Sequence, residues 1–288
     1  AAAGGPAGDA LLAAGDVRRM LGLASAAGVA SFVGGLLGAR LGQPQGEQPL
    51  GVSARDIGQG CVLLSLPGGQ FGDHQHYFHK AAILLLSHHE RFDRGLILNR
   101  PTSLETSELG IPGPSWRVWF GGDVEGLRDL SMGFDLALVC LHTLDRLADA
   151  STAVVEGVYL TEFGRAKALV EEGRAGPADF MLFAGYCGWG GGQLRDELDR
   201  QDVWKMASVN SRVIVRELQE ESMELRALSQ LRLDDGIGLW RHLYAMVDAG
   251  RPGWMAEELD DGDARNDRLA DANLRAWVQS NLEQPPML

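Results

Sequence analysis

Cysteine, positive charge and recognisable catalytic signatures are scarce in this chain, and each shortage removes a class of function. The three cysteines in 288 residues, Cys61, Cys140 and Cys187, lie too far apart for a CxxC redox or zinc motif. Cys61 and Cys140 sit in apolar, strand-like runs and read as inert buried thiols. Cys187 lies in a glycine-rich connection ahead of a helix, a setting that lowers a thiol pKa, yet no histidine or asparagine motif accompanies it. Lys and Arg total 26 against 39 Asp and Glu, for a net charge of −13. Phosphate-directed binding needs the opposite balance, so no nucleic-acid partner is expected. There is no P-loop, no strand-linked GxGxxG and no HExxH, which removes nucleotide-dependent and zinc-protease chemistry and leaves no cofactor implied.

The histidines that do occur are badly spaced for a metal. His74, His76 and His79 fall in and just after a Gly/Asp loop, His88 and His89 follow an apolar run, and neither group has a completing Cys or carboxylate pattern. The acidic run Glu257 to Asp263 lacks EF-hand spacing and reads as a solvated linker. Ser87 with His88 and Cys187 are the only nucleophile candidates, and neither has a third group to orient it. No metal is expected, and the chain reads as no enzyme.

What is present is glycine, in informative places. Phe183-Ala-Gly-Tyr-Cys-Gly-Trp-Gly-Gly-Gly-Gln193 alternates glycines with large aromatics and then gives way to a helical pattern. Upstream stand Gly60-Cys-Val-Leu-Leu-Ser-Leu-Pro67, Ala81-Ala-Ile-Leu-Leu-Leu-Ser-His-His-Glu90, Gly95-Leu-Ile-Leu-Asn-Arg-Pro-Thr102 and Phe120-Gly-Gly-Asp-Val124. In order and spacing this set resembles the YqgE/AlgH family over roughly residues 52 to 245. The resemblance implies an α/β (α+β) domain with a bifurcated β-sheet folded into a pseudo-barrel with flanking helices, and no settled reaction. It also implies a composite face built from Asn99, Arg100, Thr102, Gly121, Gly122, Tyr186, Trp189 and Gln193. In that face Arg100 would offer a fork to a carboxylate or phosphate, and the amides of Asn99 and Gln193 would offer donors and acceptors. The preferred reading of the same residues is structural: Asn99 and Arg100 fix the turn before Pro101 and Gln193 caps backbone groups. His88 falls on a family position, whereas Asp123 stands where proline is usual.

Periodicity supplies the elements. Val62 to Leu66, Ile83 to Leu86, Gly95 to Leu98, Arg117 to Phe120, Leu136 to Cys140, Val158 to Leu160, Met181 to Phe183, Val203 to Met206 and Val213 to Val215 read as short strands. Helices are expected after Thr161 as N-cap, over Gln193 to Gln201, over Leu239 to Val247 and, amphipathic, over Ala270 to Leu282. The chain divides into a leader over 1–51, the domain over 52–250 and an acidic extension over 251–288.

Met20 to Ala39 is an uncharged run of 20 residues between Arg18-Arg19 and Arg40, about the length that spans a bilayer. Its glycines weaken insertion, while Gly34 and Gly38 give a GxxxG spacing suited to partner helices. Three readings stay open: a retained transmembrane anchor, a twin-arginine-like targeting signal and a soluble leader. Plant and algal members of the resembled family look plastid-targeted. Together these features point to a non-enzymatic binding or scaffold protein at the thylakoid membrane, an auxiliary subunit or assembly factor of a plastid complex such as a photosystem. It would engage that membrane protein complex through the N-terminal segment and the acidic C-terminal extension. The alternative is a soluble regulatory or small-ligand-binding protein.

Overall fold

The computed structural model describes residues 50–51, 57–67, 71–72, 74–131, 136–201, 203–208, 210–212, 214–216, 218–219, 236–248 and 261–283. The segment 20–39, with Gly34 and Gly38, lies outside them. Among the described residues no helix is long and apolar enough to cross a membrane.

Among the described residues, twelve strands form two six-stranded sheets in a mixed α+β arrangement. The first sheet runs β1 (Leu50–Gly51), β12 (Trp204–Ser208), β2 (Val62–Ser65), β3 (Ala82–Ser87), β4 (Phe92–Ile97), β11 (Cys187–Gly190). The second runs β5 (Pro101–Glu105), β6 (Arg117–Phe120), β10 (Met181–Ala184), β7 (Leu138–His142), β9 (Val158–Glu162), β8 (Thr152–Val155). The pairings are antiparallel except β6 with β10. Helices α1 (Leu127–Ser131), α2 (Phe163–Glu171), α3 (Gln193–Arg200), α4 (Ile237–Asp248) and α5 (Asp261–Asn281) flank the sheets. Strands β2 and β3 are buried on both faces, so they read as continuous Leu/Ile/Val runs rather than as an alternation.

The two sheets are one structure that splits. The chain passes from the first sheet to the second between β4 and β5, and back again between β10 and β11. Gly121 ties the two crossings together: its carbonyl accepts from Ile97 N at 2.9 Å and its own N–H donates to the Ala184 carbonyl at 2.9 Å. Beyond it, Val124 and Tyr186 form an antiparallel bridge. A β-carbon on Gly121 would lie 2.4 Å from the Gly185 carbonyl oxygen, and one on Gly185, at φ +73°, would lie 2.4 Å from that of Gly122. The bifurcation therefore requires bare backbone at both positions.

Where the elements differ from the sequence reading, the cause is tertiary. Residues 214–216 and 218–219 are helical, not extended, because Ile214 and Leu218 pack one turn apart onto the second core, which overrides their β preference. Helix α2 begins at Phe163 with Glu162 at its N-cap; Thr161 is the fourth residue of β9, and its hydroxyl is taken by Ser151. Strands β1, β5, β8 and β11 escaped periodicity, since β1 is a two-residue strand at the end of the expected leader that pairs with β12, β5 opens on Pro101, β8 lies largely exposed and β11 is half glycine.

Helix α5 starts nine residues before the expected Ala270 and takes up the end of the acidic run. Its inner face is apolar. Leu274, Val278 and Leu282 are buried, and Trp277 packs at 5.3 Å from Tyr77 and 5.0 Å from Phe120. Its polar inner edge is ionic: Asp267 and Asp271 accept from Lys80 Nζ at 2.8 and 2.7 Å, and Asp271 pairs with His79 Nε2 at 2.8 Å. Lys80 reaches them from a left-handed backbone, φ +51°. Ser103 then fixes the helix end, donating from its backbone N–H to the Leu282 carbonyl at 2.9 Å.

Burial by itself would push Asp271 up, but hydrogen bonds from His79 and Lys80 outweigh it and hold the carboxyl down at about 2. A depressed acid stabilises above its unfolded pKa near 4 and loses that contribution as pH falls toward 2. Asp271→Asn should loosen α5 by about 2 kcal/mol, because it leaves Lys80 and His79 half-paired. Hydrogen exchange of α5 amides should then accelerate roughly 30-fold while β3 and β10 keep their protection; equal protection in both chains would show that the ions contribute nothing to docking.

Candidate functional site

The composite face expected from the sequence does not assemble as one surface. Asn99, Arg100 and Thr102 are buried, at 2%, 0% and 0% exposure, and serve their own backbone. The Asn99 amide accepts from Ala82 N at 2.9 Å and donates to the Lys80 and Gly236 carbonyls at 2.9 and 2.8 Å. Arg100 donates to the carbonyls of Asn99, at 2.8 Å, and His79. Thr102 donates to the Val118 carbonyl and accepts from Leu104 N. These three side chains brace the crossing from β4 to β5 and offer nothing to a ligand. Gly121 and Gly122 are equally enclosed: a β-carbon on Gly122 would meet the Tyr186 carbonyl carbon at 2.2 Å.

Trp189 is also interior, and its role exposes a residue that the sequence reading missed. Glu197, one turn after Gln193 on α3, accepts from Trp189 Nε1 at 3.1 Å and Trp204 Nε1 at 2.7 Å through one oxygen, and from Gln193 Nε2 at 2.8 Å through the other. Gln193 also accepts from Gly190 N at 3.1 Å. One carboxylate thereby pins two indoles to the start of α3. The i, i+4 spacing of Gln193 and Glu197 is the signal that could have found it.

Of the eight candidates, Tyr186 and Gln193 keep solvent access. Tyr186 belongs to a surface cluster on the face of β4 and β11. The Arg94 guanidinium lies 3.9 Å over the tyrosine ring, and Phe92, 38% exposed, meets that ring edge-on at 6.4 Å. Gly188 leaves room for Phe92, since a β-carbon there would sit 2.7 Å from its Cζ. Burial raises the Tyr186 pKa, and the carboxylate of Glu125, hydrogen-bonded to it, adds to the rise against the opposing charge of Arg94. The half-buried Arg94 is thus stacked on an aromatic platform of a kind suited to a carboxylate or a planar group.

The titratable groups are arranged for structure. Cys187 lies on β11, not at a helix start, fully enclosed with its thiol toward the Gly121 carbonyl; burial, and then Asp123, push its pKa well above the ordinary value, the reverse of activation. Asp123 does find a partner in the Tyr77 hydroxyl, whose pKa is raised by burial and by that hydrogen bond. His88 gains the orienting group that the sequence did not reveal: Nδ1 stands 2.7 Å from buried Asp93, which also accepts from His89 N. No nucleophile contact with Ser87 accompanies this pair among the described residues. His142 is buried between Ser151, at 2.8 Å, and Thr161, at 3.2 Å, with Nδ1 accepting from Leu144 N. Its proton thus sits on Nε2 facing the hydroxyls, and its basic lone pair on Nδ1 is taken by the Leu144 amide, leaving none for a general base.

The ligand atoms of His79, Asp267 and Asp271 lie within 4.8 Å of one another, a metal-like grouping that the sequence spacing did not suggest. Lys80 Nζ already stands between the two carboxylates as a built-in cation. A divalent ion would have to displace it.

Comparison with known proteins agrees with the motif reading. The family described as AlgH-like matches residues 67–234, and the chain belongs to it. A UPF0301 protein of Thiobacillus denitrificans is 30% identical over 173 residues, covering 56% of this chain and 88% of the relative. One from Caulobacter vibrioides is 32% identical over 182 residues, covering 60% and 86%. The solution structure of the AlgH protein from Pseudomonas aeruginosa aligns with a TM-score of 0.43 at 20% identity, over 61% of this chain and 89% of that one. Helix α5 lies beyond the family match.

Two outcomes test these assignments. Glu197→Ala leaves two indole N–H groups without their acceptor and should cost about 3 kcal/mol, read as a lowered urea midpoint at unchanged slope with altered tryptophan emission. His142, held at about 4 by burial, stays neutral while the unfolded chain protonates near 6.5. Stability should accordingly fall as pH drops from 6.5 toward 4, by up to about 3 kcal/mol. His142→Gln should flatten that slope in urea titrations at each pH.

Proposed function

We propose that this chain is a non-enzymatic binding or scaffold protein, an auxiliary subunit or assembly factor of a plastid thylakoid membrane complex such as a photosystem. The observation that carries the reading is α5. It lies outside the family-matched residues and docks on the domain through one face, leaving a second face turned outward. Its outward face, held in a fixed rotation, is read as an interaction element. The candidate chemical groups Cys187, His142 and Arg100 are occupied in holding the fold, and His88 is paired with Asp93 without a contact to Ser87 among the described residues, which favours binding over turnover. The uncharged run over 20–39 supplies a membrane attachment that leans on partner helices. The plastid placement draws on the resemblance to plant and algal members and on the twin-arginine-like leader.

A second reading, a soluble regulatory or small-ligand-binding protein, is favoured by one observation, the Arg94 guanidinium stacked on Tyr186 beside exposed Phe92. Native electrophoresis of gently solubilised membranes from the source cells, with the chain followed by mass spectrometry, separates the two. Co-migration with a large complex, lost when residues 20–39 are deleted, is the expected result. Migration of the chain alone in the soluble fraction would overturn the subunit reading and turn attention to an anion at Arg94.

A further inference from the structure

The outward face of α5 has a charge opposite to that of the chain that carries it. From Arg265 onward, both carboxylates of the helix body, Asp267 and Asp271, turn inward to Lys80, while Arg265, Arg268 and Arg275 are exposed. Arg265, Arg268, Ala272 and Arg275 follow the i, i+3, i+7, i+10 spacing of a single helical stripe. Beside it stands Leu269, 61% exposed, the most exposed large apolar side chain among the described residues. Arg265 and Arg268 have no ion pair or hydrogen bond among the described residues. A cationic stripe around one leucine, on a chain of net charge −13, is a local inversion of sign.

We infer that this stripe is a protein-docking surface whose partner is an acidic protein segment. That segment would set carboxylates against Arg265 and Arg268 around an apolar recess for Leu269. Arginine forks pair with carboxylates in bidentate geometry and are enriched at interfaces, and a single protruding leucine fits the pattern of one apolar anchor within a charged rim. Ala272 and Ala276, both exposed on the same side, let a second backbone approach closely. The surrounding negative field excludes acidic partners elsewhere on the chain, so the stripe sets orientation as well as contact. An anionic lipid surface is the lesser fit. A helix lying in a membrane interface directs its aromatic and branched side chains toward the lipid, whereas here Leu274, Trp277, Val278 and Leu282 all pack against the domain.

The inference rests on the scaffold reading and names the surface through which it works. The test uses the full chain with Leu269→Cys carrying a benzophenone maleimide and Cys61→Ala to remove the half-buried thiol, photolysed in membranes of the source cells. The expected product is a protein adduct whose labelled peptide has Asp or Glu within one helical turn of the attachment point. Its yield should fall at least tenfold when Arg265→Glu and Arg268→Glu are added, with thermal unfolding unchanged. Adducts confined to lipid, adducts to a second copy of this chain, or a yield indifferent to the charge reversal would each overturn the assignment. Co-migration with a complex that survives the charge reversal would sink the docking surface and leave the subunit reading standing.

Discussion

The bifurcation of the sheet depends on one backbone contact, the approach of Gly121 and Gly122 to Gly185 and Tyr186. Strands that leave one sheet for another must part at a point where both still satisfy their hydrogen bonds, since an orphaned buried amide costs as much as a lost bond. Gly121 meets that demand by accepting from Ile97 and donating to Ala184. Both bonds form only because nothing larger than hydrogen stands on the α-carbons. Two hydrophobic cores result, and alternate residues of one strand feed them: Val118 and Phe120 of β6 join the core with Trp116 and Trp189, and Trp119 joins the core with Phe183 and Trp240.

The buried polar residues follow from the same constraint. The crossing at Asn99 and the turn into β3 at His79 and Lys80 leave carbonyls without strand partners, and the side chains of Asn99 and Arg100 satisfy them. An arginine with no exposed surface is expensive to bury. Arg100 is tolerated because its terminal nitrogens face the carbonyl oxygens of Asn99 and His79. The motif residues that look like a binding face in the sequence are thus consequences of topology. Arginine beside asparagine before a proline signals a demanding backbone as readily as it signals a ligand.

This explains what was legible and what was not. Continuous apolar runs announced β2, β3 and β10 within a residue or two, because burial on both faces leaves little choice of residue. The i, i+4, i+7 pattern of Leu239, Leu243 and Met246 announced α4. The family motifs identified the fold, since their glycines are the residues that the bifurcation demands. Polar partnerships were harder to read: Asp93 with His88, Asp123 with the buried Tyr77 hydroxyl, and Glu197 with two indoles, for which only the spacing of Gln193 and Glu197 gave a local hint. Such contacts are closed by the folded arrangement of strands and loops and leave little periodic trace. The extent of α5 was hidden for the opposite reason, since its first turns are acidic and announce themselves as linker.

The ion cluster beneath α5 is better understood as a device for register than as a source of stability. Enclosed ion pairs lose in desolvation most of what they gain in attraction, and the apolar side chains of Leu274, Trp277, Val278 and Leu282 supply the hydrophobic part of the docking. Apolar contacts alone specify rotation weakly, however, because neighbouring registers bury similar area. Two aspartates one turn apart, both reaching the same lysine ammonium, are satisfied at one rotation only. A step of one residue turns a helix by about 100°, which would carry Arg268 toward Lys80 and set like charges together. Lys80 holds a strained left-handed backbone to make this contact, a cost of order 1–3 kcal/mol that persists where the surroundings fix it. The strain and the ion pairing have one common result: a single face of α5, cationic and bearing Leu269, points away from the domain.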